Sequence, residues 1–294
     1  MHVRAVAAAT TAFMGGAVLL LPTSAAHAAA DADSPLVVAH RGASAYAPEN
    51  TLAAVDKADE MGFEWVENDV QRTRDGRLVV LHDATLTRTT NVEELYPERA
   101  PWNVADFTAS EIARLDAGSW FGGDYAGARV PTLEQYMRRV SRNHQKLVLE
   151  IKNPQLYPGI EQETLKVLSN EGWLAPAQLE RLVIQSFSAD TVRRVHDLNP
   201  AVKTGLLGTP DIADLPEYAT FSDQINSSYT TVSGSYVATI HALEGPHGKP
   251  LEILTWTVND AVNARRVADY GVDGIITNKP DVVRDATQAD AAQG

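Results

Sequence analysis

The chain has no cysteine. Disulfides and thiolate metal sites are therefore excluded, and any metal must be held by oxygen or imidazole. Positive charge is scarce: 25 lysines and arginines stand against 38 aspartates and glutamates, for a formal net charge of −13. A chain so acidic repels phosphate backbones and anionic membranes, which argues against nucleic acid as a partner. Basic groups that bind an anion here have to be placed locally. The sequence also lacks a G-x-G-x-x-G turn, a P-loop and internal repeats, and past the N-terminus it has no long low-complexity tract. Those absences exclude the usual nucleotide-cradling turns, solenoid arrays and bulk disorder.

One long apolar run is present, at the N-terminus. Arg4 precedes a stretch from Val6 to Leu21 of apolar or small residues, and Ala26-His27-Ala28 follows. The run is short for a membrane span and is followed by an A-x-A-like cleavage signature, so residues 1–28 read as a secretory signal peptide. Cleavage near Ala28 or Ala30 leaves an extracellular chain with no stable membrane insertion and one domain over residues 34–286. Its oligomeric state is not legible.

After the signal, short β-rich runs alternate with helical segments. Eight strands are expected at Leu36–His40, Phe63–Asp69, Lys146–Ile151, Arg181–Ser186, Val202–Leu207, Asp223–Ser227, Leu251–Val258 and Val272–Thr277. Most are continuous apolar runs, as in parallel strands buried on both faces. Thr132 and Gln135 form a capping-box pattern before Leu133, Tyr136, Met137 and Val140, Ser188 precedes a helix, and Asn50 stands at the start of another. The pattern predicts an α/β fold, a (β/α)₈ barrel. Asp75-Gly76 and the strand-like Arg77–His82 break the rhythm as a hairpin. Residues 83–131, with Trp102, Phe107, Trp120, Phe121 and Gly122-Gly123, read as an insertion after the second barrel strand that covers the barrel mouth.

Chemistry in such a barrel is expected at the C-terminal ends of the strands. The predicted ends offer His40-Arg41-Gly42, Glu67-Asn68-Asp69, His82-Asp83, Glu150-Ile151-Lys152, Gln185-Ser186-Phe187 and Trp256. Strand alternation points Glu67 and Asp69 the same way, and Glu150 with Lys152. Three carboxylates in a small space repel one another unless a cation sits between them, and oxygen ligands suit Ca²⁺ or Mg²⁺. His40 and His82 suit acid–base work near neutral pH, and Arg41 and Lys152 supply charge for a phosphodiester. His144, His196, His241 and His247 have no such setting.

The blocks His40-Arg41-Gly42, Pro48-Glu49-Asn50-Thr51, Glu67-x-Asp69-Val70, Thr73-x-Asp75-Gly76, His82-Asp83 and Arg88-Thr89-Thr90 resemble the glycerophosphodiester phosphodiesterase family. So do Glu150-Ile151-Lys152, Gln185-Ser186-Phe187, Trp256-Thr257-Val258-Asn259 and Gly271 through Thr277, in family order. The resemblance implies a barrel that hydrolyses glycerophosphodiesters to glycerol 3-phosphate and an alcohol. It implies a divalent metal, Ca²⁺ or Mg²⁺, on Glu67, Asp69 and Glu150, and His40 and His82 as acid and base. It places Arg41 and Lys152 near the phosphate, with Trp256 and Asn259 lining the pocket. Two positions depart from the pattern: Asn278 stands where the family often has Asp, and Asn68 where an apolar residue is commoner. Asn50 has a second reading as a helix cap and Glu49 as a complement to that helix's dipole, while Glu49 is otherwise a further metal ligand or a group that supports the ligands. A phospholipase D-like or sphingomyelinase-like lipid phosphodiesterase would share the histidines and the Glu-x-Asp pair, but Glu150-x-Lys152 favours the glycerophosphodiester branch. A non-catalytic phosphate-ester binder should have lost a histidine or a carboxylate, and all five are present.

Overall fold

The structure, a computed structural model, describes residues 1–2 and 34–291. The expected signal peptide lies almost entirely outside the described residues. From Leu36 the order is β1 (Leu36–Ala39), α1 (Leu52–Glu60), β2 (Trp65–Arg72), β3 (Leu78–Val80), the short helices α2 (Val92–Leu95) and α3 (Ala109–Ile112), α4 (Leu133–Arg142) and β4 (Lys146–Ile151). It continues with α5 (Ile160–Asn170), β5 (Leu182–Ser186), α6 (Ala189–Leu198), β6 (Lys203–Leu207), α7 (Leu215–Tyr218), β7 (Gln224–Ser228), α8 (Gly234–His241), β8 (Leu254–Trp256), α9 (Ala261–Asp269), β9 (Gly274–Thr277) and α10 (Pro280–Ala291).

Among the described residues eight of nine strands pair in parallel, and β1 pairs with both β9 and β2, which closes the barrel. β3 stands outside the ring, antiparallel to β2, with Val70 opposite Val80. Closure follows from the sequence: strands rich in Val, Ile and Leu have no solvated face, so helices must cover their outside and side chains must fill their inside. Val38, Val148, Val183, Leu254 and Ile276 fill the interior. Val66, Val70, Leu147 and Leu149 meet Val55, Tyr136, Met137 and Val140 in the helical layer.

Helix starts follow their capping residues. The Thr132–Gln135 capping box is formed in both directions, and Ser188 accepts from the Thr191 N–H. The α1 cap differs from expectation. Thr51, not Asn50, accepts from the Ala54 N–H, because Asn50 sits at φ 59° with its amide turned into the barrel. Several strand limits differ as well. β8 spans three residues, not the eight of Leu251–Val258, and β1 stops at Ala39, which leaves His40 on the following turn. β2 runs on to Arg72, because its hairpin partner β3 continues the ladder past Asp69.

Between β3 and α4 the chain builds a small apolar cluster of its own, including Leu86, Val92, Val104, Phe107, Ile112 and Leu115. Trp102 packs against it.

Asn68 is out of place in the helical layer. Alternation along β2 puts it on the same side as Val66 and Val70. It is fully buried, and neither its amide oxygen nor its nitrogen has a hydrogen-bond partner among the described residues. A buried unpaired polar group costs about 1–3 kcal/mol. Asn68→Val should therefore raise the melting temperature by several degrees without loss of activity, as read by thermal unfolding followed by circular dichroism. A lowered melting temperature would mean that Asn68 has a partner.

Candidate active site

The mouth of the barrel gathers side chains from six strands. His40 and Arg41 follow β1, Glu67 and Asp69 lie on β2, His82 follows β3, and Glu150 lies one residue before the end of β4 with Lys152 just after the strand. Gln185 is on β5 and Trp256 on β8. One pocket is lined by His40, Arg41, Glu67, His82, Glu150 and Lys152, closed on its other side by Gln185, Phe187, Leu207, Trp256, Thr257 and Ile276. Asp69 lies beneath it, with no exposed surface.

The turn after β1 is built for close approach. Arg41 and Gly42 both have positive φ, at 56° and 78°, and a Cβ on Gly42 would come within 2.6 Å of the Ala54 backbone. Only glycine fits there. The turn aims the Arg41 N–H at Glu67 Oε2, 3.0 Å away.

Glu67, Asp69 and Glu150 are all buried, and one carboxylate oxygen from each lies within 4.8 Å of the others. Burial, and then repulsion from Asp69 and Glu150, pushes the Glu67 carboxyl well above the usual carboxylate range. Burial and Asp69 push Glu150 up to about 8, although Lys152 Nζ stands 2.7 Å from its Oε1. At Asp69 burial acts in the same upward direction, but Arg41, His82 and Lys152 outweigh it and hold the group ionised. Asn50 Nδ2 donates to Asp69 Oδ2 at 2.7 Å, and Arg41 Nε is 3.3 Å from the same oxygen. Asp69 Oδ1 is buried with no hydrogen-bond partner among the described residues, and Lys152 Nζ lies 3.8 Å from it. An orphaned anionic oxygen amid clustered carboxylates has the donor chemistry of a hard-cation site.

The two histidines are tied differently. His40 Nδ1 meets the Asn278 amide oxygen at 2.6 Å, and His40 Nε2 is 3.9 Å from Glu67 Oε2. An amide oxygen only accepts, so His40 carries its proton on Nδ1 when neutral, and Nε2 is left as a base. Burial, and then Arg41, lowers its pKa to about 4. His82 Nδ1 meets Asp83 Oδ1 at 2.7 Å. Asp83 is itself held to about 2, first by hydrogen bonds from Arg88. Burial is again the main cause of a lowered His82 pKa.

All eight predicted site residues are thus brought to one place, with Asp69 as its floor. Other expectations are corrected. Asn259 does not line the pocket; its side-chain oxygen accepts from the Asn278 N–H at 2.9 Å and so fixes the residue that holds His40. Glu49 is not among the clustered carboxylates; Arg41 and Arg88 occupy its oxygens, so of its two expected roles at the site it takes the supporting one, behind Arg41. The Tyr46 hydroxyl donates to Asp281 and the Trp120 indole N–H to the Ala117 carbonyl, and neither ring lines the pocket. The sequence reading assigned no role to Asn226, whose amide donates to Gln185 Oε1 at 2.9 Å, or to Arg88. An Asp directly after His82 was the available signal for the latter.

Comparison with known proteins agrees with this geometry. Residues 40–282 match the model of the glycerophosphoryl diester phosphodiesterase family. The chain is 36% identical over 265 residues to a glycerophosphodiester phosphodiesterase of Bacillus subtilis, covering 85% of each. It is 36% identical over 249 residues to one of Caldanaerobacter subterraneus, covering 84% of this chain and 96% of the relative. Among solved structures, an Oleispira antarctica phosphodiesterase in complex with the product sn-glycerol 3-phosphate superposes with a TM-score of 0.74 at 28% identity, over 87% of this chain and 97% of that one. The chain therefore belongs to the glycerophosphoryl diester phosphodiesterase family and is a phosphoric diester hydrolase.

Proposed function

We propose that this protein is an exported, divalent-cation-dependent enzyme that hydrolyses glycerophosphodiesters such as glycerophosphocholine and glycerophosphoethanolamine to sn-glycerol 3-phosphate and an alcohol. The observation that carries the reading is the buried carboxylate trio, with its unpartnered Asp69 oxygen, facing two histidines across one pocket. The Oleispira relative, whose structure holds sn-glycerol 3-phosphate, supports the product class. Glu67, Asp69 and Glu150 would hold the cation, Ca²⁺ or Mg²⁺, which when bound supplies positive charge to the phosphate and its transition state.

The chain's own residues do the rest. Arg41 and Lys152, on opposite sides of Asp69, orient the phosphate and share its charge. His40 and His82 each have Nδ1 engaged behind the ring, which leaves Nε2 to exchange protons with the nucleophile and the leaving alcohol. Trp256, its indole N–H donating to the Asn226 carbonyl at 2.7 Å, offers a fixed apolar wall for the organic part of the substrate. Export rests on the N-terminal run ending at Ala26-His27-Ala28. Among the described residues no helix is long and apolar enough to cross a membrane.

Glycerol 3-phosphate release from glycerophosphocholine should stop on chelation and return with Ca²⁺ or Mg²⁺. His40→Ala and His82→Ala should each lower turnover by at least about a hundredfold in folded protein. Near-normal turnover in either variant refutes that histidine's role, and choline release from lysophospholipid vesicles without diester hydrolysis would move the substrate to lipids. Protein recovered from the medium should begin shortly after Ala28 on N-terminal sequencing; an intact Met1 refutes cleavage.

The carboxylates also predict a pH signature without cation. A carboxyl whose folded pKa is raised favours the folded state while it is protonated. For Glu150 that stability is complete below its ordinary 4.5 and is lost as pH climbs toward about 8. Chelated protein should melt several degrees lower at pH 8 than at pH 5.5, and Glu150→Gln should flatten the difference. Saturating cation should do the same for the natural chain. A pH-independent melting temperature in chelator would show that the trio does not repel.

A further inference from the structure

Arg88 lies outside the pocket, yet its guanidinium joins the two walls that carry the pocket's basic and proton-transferring groups. Toward one wall, Nε donates to Asp83 Oδ2 at 2.6 Å and Nη2 to Asp83 Oδ1 at 3.0 Å. Asp83 Oδ1 in turn holds His82 Nδ1 at 2.7 Å. Toward the other, Nη1 and Nη2 donate to the two oxygens of Glu49, both at 2.8 Å. Glu49 Oε1 accepts from Arg41 Nη1 at 2.7 Å, and Arg41 reaches Asp69. Signs alternate along the path from Asp83 through Arg88, Glu49 and Arg41 to Asp69. Among the described residues, Arg88 is the one side chain bonded to both Asp83 and Glu49.

We propose that Arg88 is the positioning residue of this active site, fixing the His82 ring through Asp83 and the Arg41 guanidinium through Glu49. The proposal rests on the catalytic reading of His82. Arg88 is no phosphate ligand, because its donors are spent on two carboxylates and it is absent from the pocket lining. A lysine cannot replace it: a point charge with three donors does not reproduce two bidentate forks at once.

The same reading gives the segment between β3 and α4 a task. Arg88 sits on a loop anchored on both sides: the Leu86 N–H donates to the Trp102 carbonyl at 3.0 Å, and the Val104 N–H to the Ala84 carbonyl at 2.9 Å. Leu86 is fully buried in the segment's own apolar cluster. That cluster is the footing from which Arg88 reaches back to the barrel.

The test is steady-state kinetics of the full chain with added cation, on glycerophosphocholine, for the natural protein, Arg88→Ala, Arg88→Lys, His82→Ala and the double variant His82→Ala/Arg88→Ala. Arg88→Ala should lose roughly ten- to a hundredfold in kcat, with KM changed less than about threefold, as misplaced catalytic groups do. Arg88→Lys should recover little of the loss, whereas millimolar guanidinium should restore part of it in Arg88→Ala. In the His82→Ala background, removal of Arg88 should cost less than in the natural chain, since the part of its effect that passes through the His82 ring is already lost. A normal kcat in Arg88→Ala, a loss confined to KM, a loss tracked by unfolding in circular dichroism, or full additivity with His82→Ala would each overturn the positioning role. If instead the natural protein releases no glycerol 3-phosphate, or His82→Ala is unimpaired, the functional reading fails first and takes this proposal with it.

Discussion

The organising constraint of this molecule is the burial of three carboxylates within a few ångströms of one another at the mouth of a closed barrel. Water is too scarce there to solvate them, and each charge raises the cost of the next. The surrounding side chains follow from that. Arg41 and Lys152 stand on two sides of Asp69, Asn50 abandons a helix cap to donate to it, and the turn after β1 lends a backbone N–H to Glu67. With all three ionised, two cations would leave the site short of positive charge by one unit, and without a further cation Glu67 and Glu150 answer that shortfall by favouring their protonated forms. A divalent ion would more than make up that shortfall, and the surplus is what an incoming phosphodiester requires.

The barrel makes this placement possible because its strands present alternating residues to different surroundings. Glu67 and Asp69 face the mouth, while Val66 and Val70 on either side of them seat the same strand against the helices. The polar face can be as costly as the chemistry demands because Val66 and Val70 on the other face pack into the helical layer. Asn68 shows the price of an error in that pattern: a polar side chain on the packing face, far from any use in the pocket, finds no partner.

Much of this was legible in the sequence. Continuous Val/Ile/Leu runs separated by capped helices specify parallel strands that must close or be covered, and the Glu-x-Asp and Glu-x-Lys spacings specify shared faces. What sequence could not deliver was the layer behind the site. Asn50 reads equally as a cap, but its amide donates to the buried Asp69 and the neighbouring Thr51 caps the helix instead. Asn259 resembles a pocket residue, but it lies past the end of β8 and its side-chain oxygen accepts from the Asn278 N–H. Arg88 lies six residues past His82, and no periodicity relates it to Glu49; their meeting depends on a loop footed on a separate cluster. Such contacts join segments whose relative position is set by tertiary packing, and local pattern carries no record of them.

The two histidines show how the electrostatic constraint reaches beyond the trio. His40 lies close to Glu67, and a carboxylate behind its ring would have put a fourth negative charge beside three that already repel. The neutral amide of Asn278 holds the ring in one tautomer without adding charge, with Ser44 donating to the same oxygen at 3.0 Å. His82 is more open to solvent, 31% exposed at its side chain against 15% for His40, and it can tolerate an anion behind it. That anion, Asp83, is itself neutralised by Arg88, whose remaining charge is taken up by Glu49. The departure at position 278 and the ion-pair chain through Arg88 are thus two answers to one problem: how to hold an imidazole rigidly beside buried carboxylates without adding to their repulsion.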